Sequence, residues 1–210
     1  MDFQLIINNF LVILQGLDET LVLIFLSLII GFFISIPFAL ARVSSIKVLS
    51  QSVYYYIFVI RGTPLLVQIY LIYFGLGSIK AVRESFLWIL LKEPFWCGVI
   101  ALVINTVAYT TEIFRGGIQS VTKGQIESCK SLGMNKFTMY FKIILPCAFR
   151  QALPAYGNEI ILMVKATSLV SLTTYMEMTG IARSIMYKTF APIEAFIAAG
   201  SVYLFLNFLV

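Results

Sequence analysis

The chain has 210 residues, 60% of them hydrophobic and 12% charged, and its mean hydropathy of +0.94 excludes an ordinary soluble globular domain. Its formal charge of +5 comes from Lys and Arg spread through the loops, which excludes a concentrated nucleic-acid-binding face and suits anionic lipid headgroups. There is no His, and Cys97, Cys129 and Cys147 lack the spacing of a metal site or disulfide framework, so they read as packing residues.

The opening "MDFQLIINNF" carries an acid where a signal peptide would carry a base, and no small-residue cleavage site follows, so no segment is expected to be removed. Five apolar stretches then predict an all-α membrane protein of one domain over 1–210, with spans at about 20–41, 53–76, 94–113, 147–168 and 193–210. The second contains Arg61, Gly62 and Pro64, and the fourth contains Glu159 and Lys165. The last is short: from Ala195 its 16 residues reach only about 24 Å of a ~30 Å core, the mark of a chain cut short or of a tilted span in a thinned bilayer.

No Lys or Arg precedes the first span, whereas Arg42 and Lys47 follow it, so the N-terminus is expected outside. The loops then hold eight basic residues inside and six outside, a bias in the same direction. Outside, 79–96 places Val82, Phe86, Ile89 and Leu90 on one helical face, as an interfacial helix would, and 173–192 has a break at Gly180 and too many polar groups to cross lipid. Before the largest inner loop, Glu112 and Arg115 are spaced to pair on a helix that Gly116 and Gly117 then break.

That loop, "GQIESCKSLGMNKFTMYFKIILP" at 124–146, is polar and basic between two greasy stretches. Ile126, Cys129 and Leu132 recur every three residues as the apolar face of a short helix, and Gly133 can end it in the left-handed conformation. Asn135 can cap a second helix with Met134 and Met139 in hydrophobic-staple register, and Pro146 marks the start of the next element. Such a helix–glycine–helix corner suits either docking to a soluble partner or lying on anionic lipid.

Charges inside spans need partners or water. On an ideal helix Asn158 and Lys165 share a face, while Glu159 and Lys165 diverge by about 120°. Arg61, Glu159 and Lys165 therefore read either as contacts for a substrate's carboxylate and ammonium or as interhelical ion pairs. Thr167 and Ser168 can donate hydroxyls to a substrate or pack helices. In "RGTPLL", Gly62 and Pro64 suit a gate near Arg61 or a packing kink.

The loop resembles the EAA loop of ABC importer permeases. Glu127, Ser128 and Cys129, then Gly133, then Ile143, Leu145 and Pro146 stand at the family spacing, with both family alanines replaced by small residues. "GLDETLVLIFLSLIIG", "RGTPLLVQIYLIYFG", "AYTTEIFRGGIQSV" and "LPAYGNEIILMVKATSLVS" are similar, in order, to segments of the polar amino acid (histidine/glutamine/arginine) permease subfamily.

The resemblance implies a type I ABC importer permease fold in a bacterial inner membrane, with residues 122–142 coupling to a separate ATPase dimer. It also implies a second permease subunit, alike or different, and an extracytoplasmic amino acid binding protein. The chain has no G-x-x-x-x-G-K-[ST] loop and no nucleophile–base constellation, so no catalytic residue, cofactor or metal of its own is expected. Arg61, Asn158, Glu159, Lys165, Thr167 and Ser168 are the expected substrate contacts. Many relatives have an acid where Ala166 stands, and one acid against two bases favours a neutral polar amino acid such as glutamine. The rivals are an ion-coupled secondary transporter, for which no paired broken-helix symmetry is visible, and a permease-like structural or signalling subunit.

Overall fold

Long apolar runs must satisfy their backbone N–H and C=O groups internally, which in a single chain favours helices. The computed structural model describes residues 3–210 and has no strand among them. Met1 and Asp2, and with them the acid used in the signal-peptide reading, lie outside the described residues.

The helices are α1 (Phe3–Leu14), α2 (Leu17–Arg42), α3 (Lys47–Arg61), α4 (Leu65–Ser78), α5 (Lys80–Arg83), α6 (Trp88–Leu91), α7 (Pro94–Gln119), α8 (Lys123–Ser131), the continuous run α9 (Lys136–Thr173), α10 (Met178–Thr189) and α11 (Pro192–Leu209). Among the described residues α2, α7 and α11 are long and apolar enough to cross a membrane alone; counting α3 with α4 and α9 with α10 as interrupted spans gives five. Asp18 and Glu19 in the first turn of α2 and Arg42 in its last complement the helix dipole.

Contacts divide the chain into two units. The first comprises the residues up to Ile30, Thr63–Asn105 and Ile160–Val210. One of its cores gathers Leu23, Ile69, Leu102, Val164 and Val170. Another packs Ile13 and Met178 against the small side chains Ala182, Ala195, Ala198 and Ala199, which let α1, α10 and α11 approach closely. The second unit comprises Gly31–Gly62 and Thr106–Glu159. Phe32 makes edge-on contacts with Phe114, Phe149 and Tyr156 there, and Val53 and Ile57 of α3 pack with Ala108 of α7.

Several boundaries differ from those expected. The predicted span 53–76 is interrupted at Gly62–Pro64, and α3 already starts at Lys47. Pro64 is the N-cap of α4, where its missing N–H costs nothing. Pro146 stands, as expected, in the first turn of the α-helical segment Leu145–Ala166 of α9, which follows without a loop on a π turn, Tyr140–Ile144, where the Leu145 N–H donates to the Tyr140 C=O. The widened turn precedes the residue that has no N–H to give.

The single interfacial helix expected at 79–96 is two short ones, α5 and α6, separated by turns, with Phe86 and Ile89 exposed. Gly116 and Gly117 do not end α7; a Cβ on Gly117 would stand 2.4 Å from the Ala148 C=O, so the glycine serves a close helix contact. The break expected at Gly180 falls instead at Thr174, whose φ is 68°. Gly180 lies inside α10, where its N–H donates to Glu177 Oε1 at 2.9 Å.

Glu177 is fully buried, and its second oxygen accepts from the Tyr203 hydroxyl at 2.6 Å. Tyr203→Phe removes that donor from a buried carboxylate, and the thermal midpoint in detergent should fall by the equivalent of about 1–2 kcal/mol. An unchanged midpoint would assign the hydroxyl no role in holding α10 to α11.

Candidate functional site

The second unit carries a corner built by local hydrogen bonds. Thr122 and Gln125 form a capping box at the start of α8: the Gln125 N–H donates to Thr122 Oγ1 at 3.3 Å and the Thr122 N–H to Gln125 Oε1 at 3.1 Å. At its end the Gly133 N–H donates to the Lys130 C=O and the Met134 N–H to the Cys129 C=O, the two bonds of a Schellman turn. Gly133 has φ 73°, as that turn requires. Asn135 Oδ1 then accepts from the Thr138 N–H at 2.8 Å and starts α9.

Cys129, Met139 and Ile144 are buried in this corner, with Ile126, Met134 and Ile143 packed against them, so the expected staple pair Met134 and Met139 shares one cluster. Leu132 does not complete the apolar face of α8; it caps the helix and is 76% exposed. Phe137 and Phe141 are 71% and 55% exposed, with ring centroids 4.4 Å apart. Glu127, Ser128 and Pro146 are also exposed, while Leu145 is half-buried. The corner thus presents an acid, a small hydroxyl and three large apolar groups outside its own core.

The same unit contains a buried carboxylate. Glu159 is 6% exposed, and Oε1 accepts from the Thr106 hydroxyl at 2.9 Å. A Cβ on Gly31 would stand 2.4 Å from Thr106 Cγ2, so α2 comes close enough to fix that threonine. The Arg61 guanidinium lies 4.9 Å from the Tyr109 ring centroid, a cation–π distance. Among the described residues no Lys or Arg nitrogen comes within 4.0 Å of the Glu159 carboxylate.

The other expected contacts have surroundings of their own. Asn158 and Lys165 are both exposed on α9, as their spacing predicts. Thr167 and Ser168 turn their hydroxyls back to the Val164 and Lys165 carbonyls at 2.8 and 2.6 Å, which satisfies backbone and leaves each oxygen only as an acceptor. Sequence reasoning missed Thr106 and Tyr109, which lie far from their partners along the chain. It also missed the capping box, which the pattern Thr122-x-x-Gln125 could have revealed. Among the described residues no group of three or more Cys, Asp or Glu side chains could hold a metal ion.

An all-helical, multi-pass fold with a capped corner and a polar group buried among apolar helices defines a membrane permease. Residues 28–210 match the family of binding-protein-dependent transport system inner membrane components, and the chain belongs to that family. It is 50% identical over 211 residues to the nopaline transport system permease of Agrobacterium fabrum, covering 100% of this chain and 88% of that protein. It is 41% identical over 194 residues to the histidine/lysine/arginine/ornithine transport system permease of Escherichia coli strain K12, covering 92% and 82%. A crystal structure of an amino acid ABC transporter with histidines superimposes with a TM-score of 0.87 at 37% identity, covering 100% of this chain and 94% of that one.

The chain is thus a permease subunit of an amino acid ABC importer. The preference expected for a neutral substrate finds no support in these relatives, whose names include cationic amino acids. Counting one acid against two bases gave Arg61, Glu159 and Lys165 equal weight, whereas Glu159 is buried, Arg61 acts on it from beyond 4.0 Å, and both bases are exposed.

Because nothing lies within 4 Å of a Cβ added at Gly133, substitution there acts through backbone conformation alone. Gly133→Val should speed hydrogen exchange of the Met134 amide about fivefold or more, whereas Gly133→Asn, which tolerates positive φ, should change it little. Equal exchange in all three would separate the corner from the glycine.

Proposed function

We propose that this chain is the permease subunit of an ATP-driven importer for a cationic amino acid or an arginine-like derivative. It takes substrate from an extracytoplasmic binding protein, works with a second permease subunit, and docks residues 122–142 on a separate ATPase dimer. ATP hydrolysis belongs to that partner, and the N-terminus lies outside. The observation that carries the coupling part is the Schellman corner, held by its own hydrogen bonds, with Leu132, Phe137 and Phe141 left exposed. A stiff, amphipathic corner of this kind offers a groove-bearing partner a shape to grip.

The substrate class rests on the names of the relatives together with Glu159. A carboxylate in hydrocarbon is costly unless a cation or water meets it, and Glu159 has a hydroxyl partner but no basic nitrogen within ion-pair distance among the described residues. A passing ammonium or guanidinium supplies the missing partner. Asn158, Lys165, Thr167 and Ser168 stay secondary candidates.

The test is uptake of labelled arginine, histidine, nopaline and glutamine into proteoliposomes holding the full assembly, with and without ATP. Cation uptake should require ATP and fall more than about tenfold in Glu159→Gln, the loss expected for one charge-assisted hydrogen bond. Glu127→Lys should leave the chain in the membrane and ATP hydrolysis running but reduce uptake per ATP. ATP-dependent glutamine uptake with no cation uptake would overturn the substrate class, and normal coupling in Glu127→Lys would overturn the docking role of that residue.

A further inference from the structure

The second unit holds a charged cleft distinct from the Glu159–Thr106 contact. Its volume is about 250 Å³, and Arg42, Tyr54, Phe58, Arg61, Glu112 and Arg115 line it. Three guanidinium groups face one carboxylate, and that carboxylate is already occupied. Arg115 holds Glu112 in a fork, with Nε and Nη2 at 2.8 and 2.7 Å from Oε2.

Arg42 gains little from the same acid. Its Nε stands 3.9 Å from Glu112 Oε1, beyond hydrogen-bond reach, and is buried with no hydrogen-bond partner. Its Nη1 donates to Ser50 Oγ at 3.0 Å, and its guanidinium lies 5.0 Å from the Tyr54 ring centroid. Arg61 has an aromatic ring beside it and, among the described residues, no carboxylate within 4.0 Å; its charge reaches Glu159 only from beyond that distance. The cleft therefore carries two positive charges not matched by an ion pair at hydrogen-bond distance.

An apolar strip borders these charges. On α3, Tyr54 and Phe58 stack at 6.2 Å between centroids, and Tyr55, Phe58 and Val59 are more than half exposed. Tyrosines beside arginines mark the headgroup level of a membrane protein, and basic pockets between spanning helices take lipid headgroups. We propose that this cleft binds an anionic phospholipid, its phosphate taken by Arg42 and Arg61 and its acyl chains lying along Tyr54, Phe58 and Val59. Which leaflet supplies the lipid rests on the orientation proposed above; the binding itself does not.

Native mass spectrometry of the full chain in mild detergent, titrated with phosphatidylglycerol or phosphatidylcholine of the same acyl chains, tests this. Phosphatidylglycerol should bind at least about fivefold more tightly. Arg42→Gln and Arg61→Gln should each remove most of that preference, Arg42→Lys should retain part of it, and Lys188→Gln, outside the cleft, should leave it unchanged. Equal binding of the two lipids, or equal loss in Lys188→Gln, overturns the site. Displacement of the lipid by inorganic phosphate assigns the cleft to a free anion, and displacement by arginine assigns it to the transported solute; either overturns the lipid assignment. Since no ATP or transport is involved, failure here leaves the import reading standing.

Discussion

Hydrocarbon supplies no hydrogen bonds, so every backbone group at membrane depth must be satisfied by the chain itself. The ends and breaks of helices are where this is hardest, because several N–H and C=O groups lose their intrahelical partners there. At the interruption before α4, Gln68 is buried and its amide donates to both the Thr63 C=O and Oγ1, while its own oxygen accepts from Asn105. At the break before α10, Glu177 caps the Gly180 N–H, and Thr20 Oγ1 donates to the Gly16 C=O and accepts from the Met178 N–H. Ser171 and Thr173 return their hydroxyls to carbonyls three residues back in the last turns of α9. Each interruption is thus bought with buried polar side chains, which explains why residues that look like site candidates in a greasy sequence so often serve the backbone.

The corner at 122–146 follows a different logic. Its hydrogen bonds are nearly all local, so its shape depends on a few neighbouring residues and little on the deep cores. Its second arm is also the first part of α9. From Lys136 the helix continues through the π turn into the apolar segment that carries Glu159, with no loop between. A continuous helix links its two ends more directly than a loop does, and the π turn and Pro154 are the two places where it can bend. The corner and the buried carboxylate thus share one helix within this unit.

What the sequence made legible was whatever is written in short windows. The five apolar stretches, the αL glycine at 133 and the Asn135 cap all follow from residues within a few positions of each other, and the structure has helix over each stretch, with 53–76 interrupted at Gly62–Pro64. Boundaries governed by tertiary contact were not legible. Gly117 and Gly180 look like helix breakers, yet one meets the Ala148 carbonyl and the other the Tyr175 carbonyl at distances no side chain allows. Pro146 does mark the start of the segment Leu145–Ala166, but nothing in the sequence announces the π turn that joins it to the preceding helix without a loop. The partner of Glu159 is 53 positions away, and no periodicity connects the two.

Charge counting failed for a related physical reason. Within a membrane protein a charge acts through its immediate surroundings, since the interaction of two charges depends on both their separation and the medium between them. Arg61 and Lys165 are exposed, whereas Glu159 is enclosed with Arg61 near enough for its charge to act on it. The sum of the three formal charges is positive, but the buried member is an acid. For a solute entering among these helices, the surroundings of each charge therefore matter more than the formal sum.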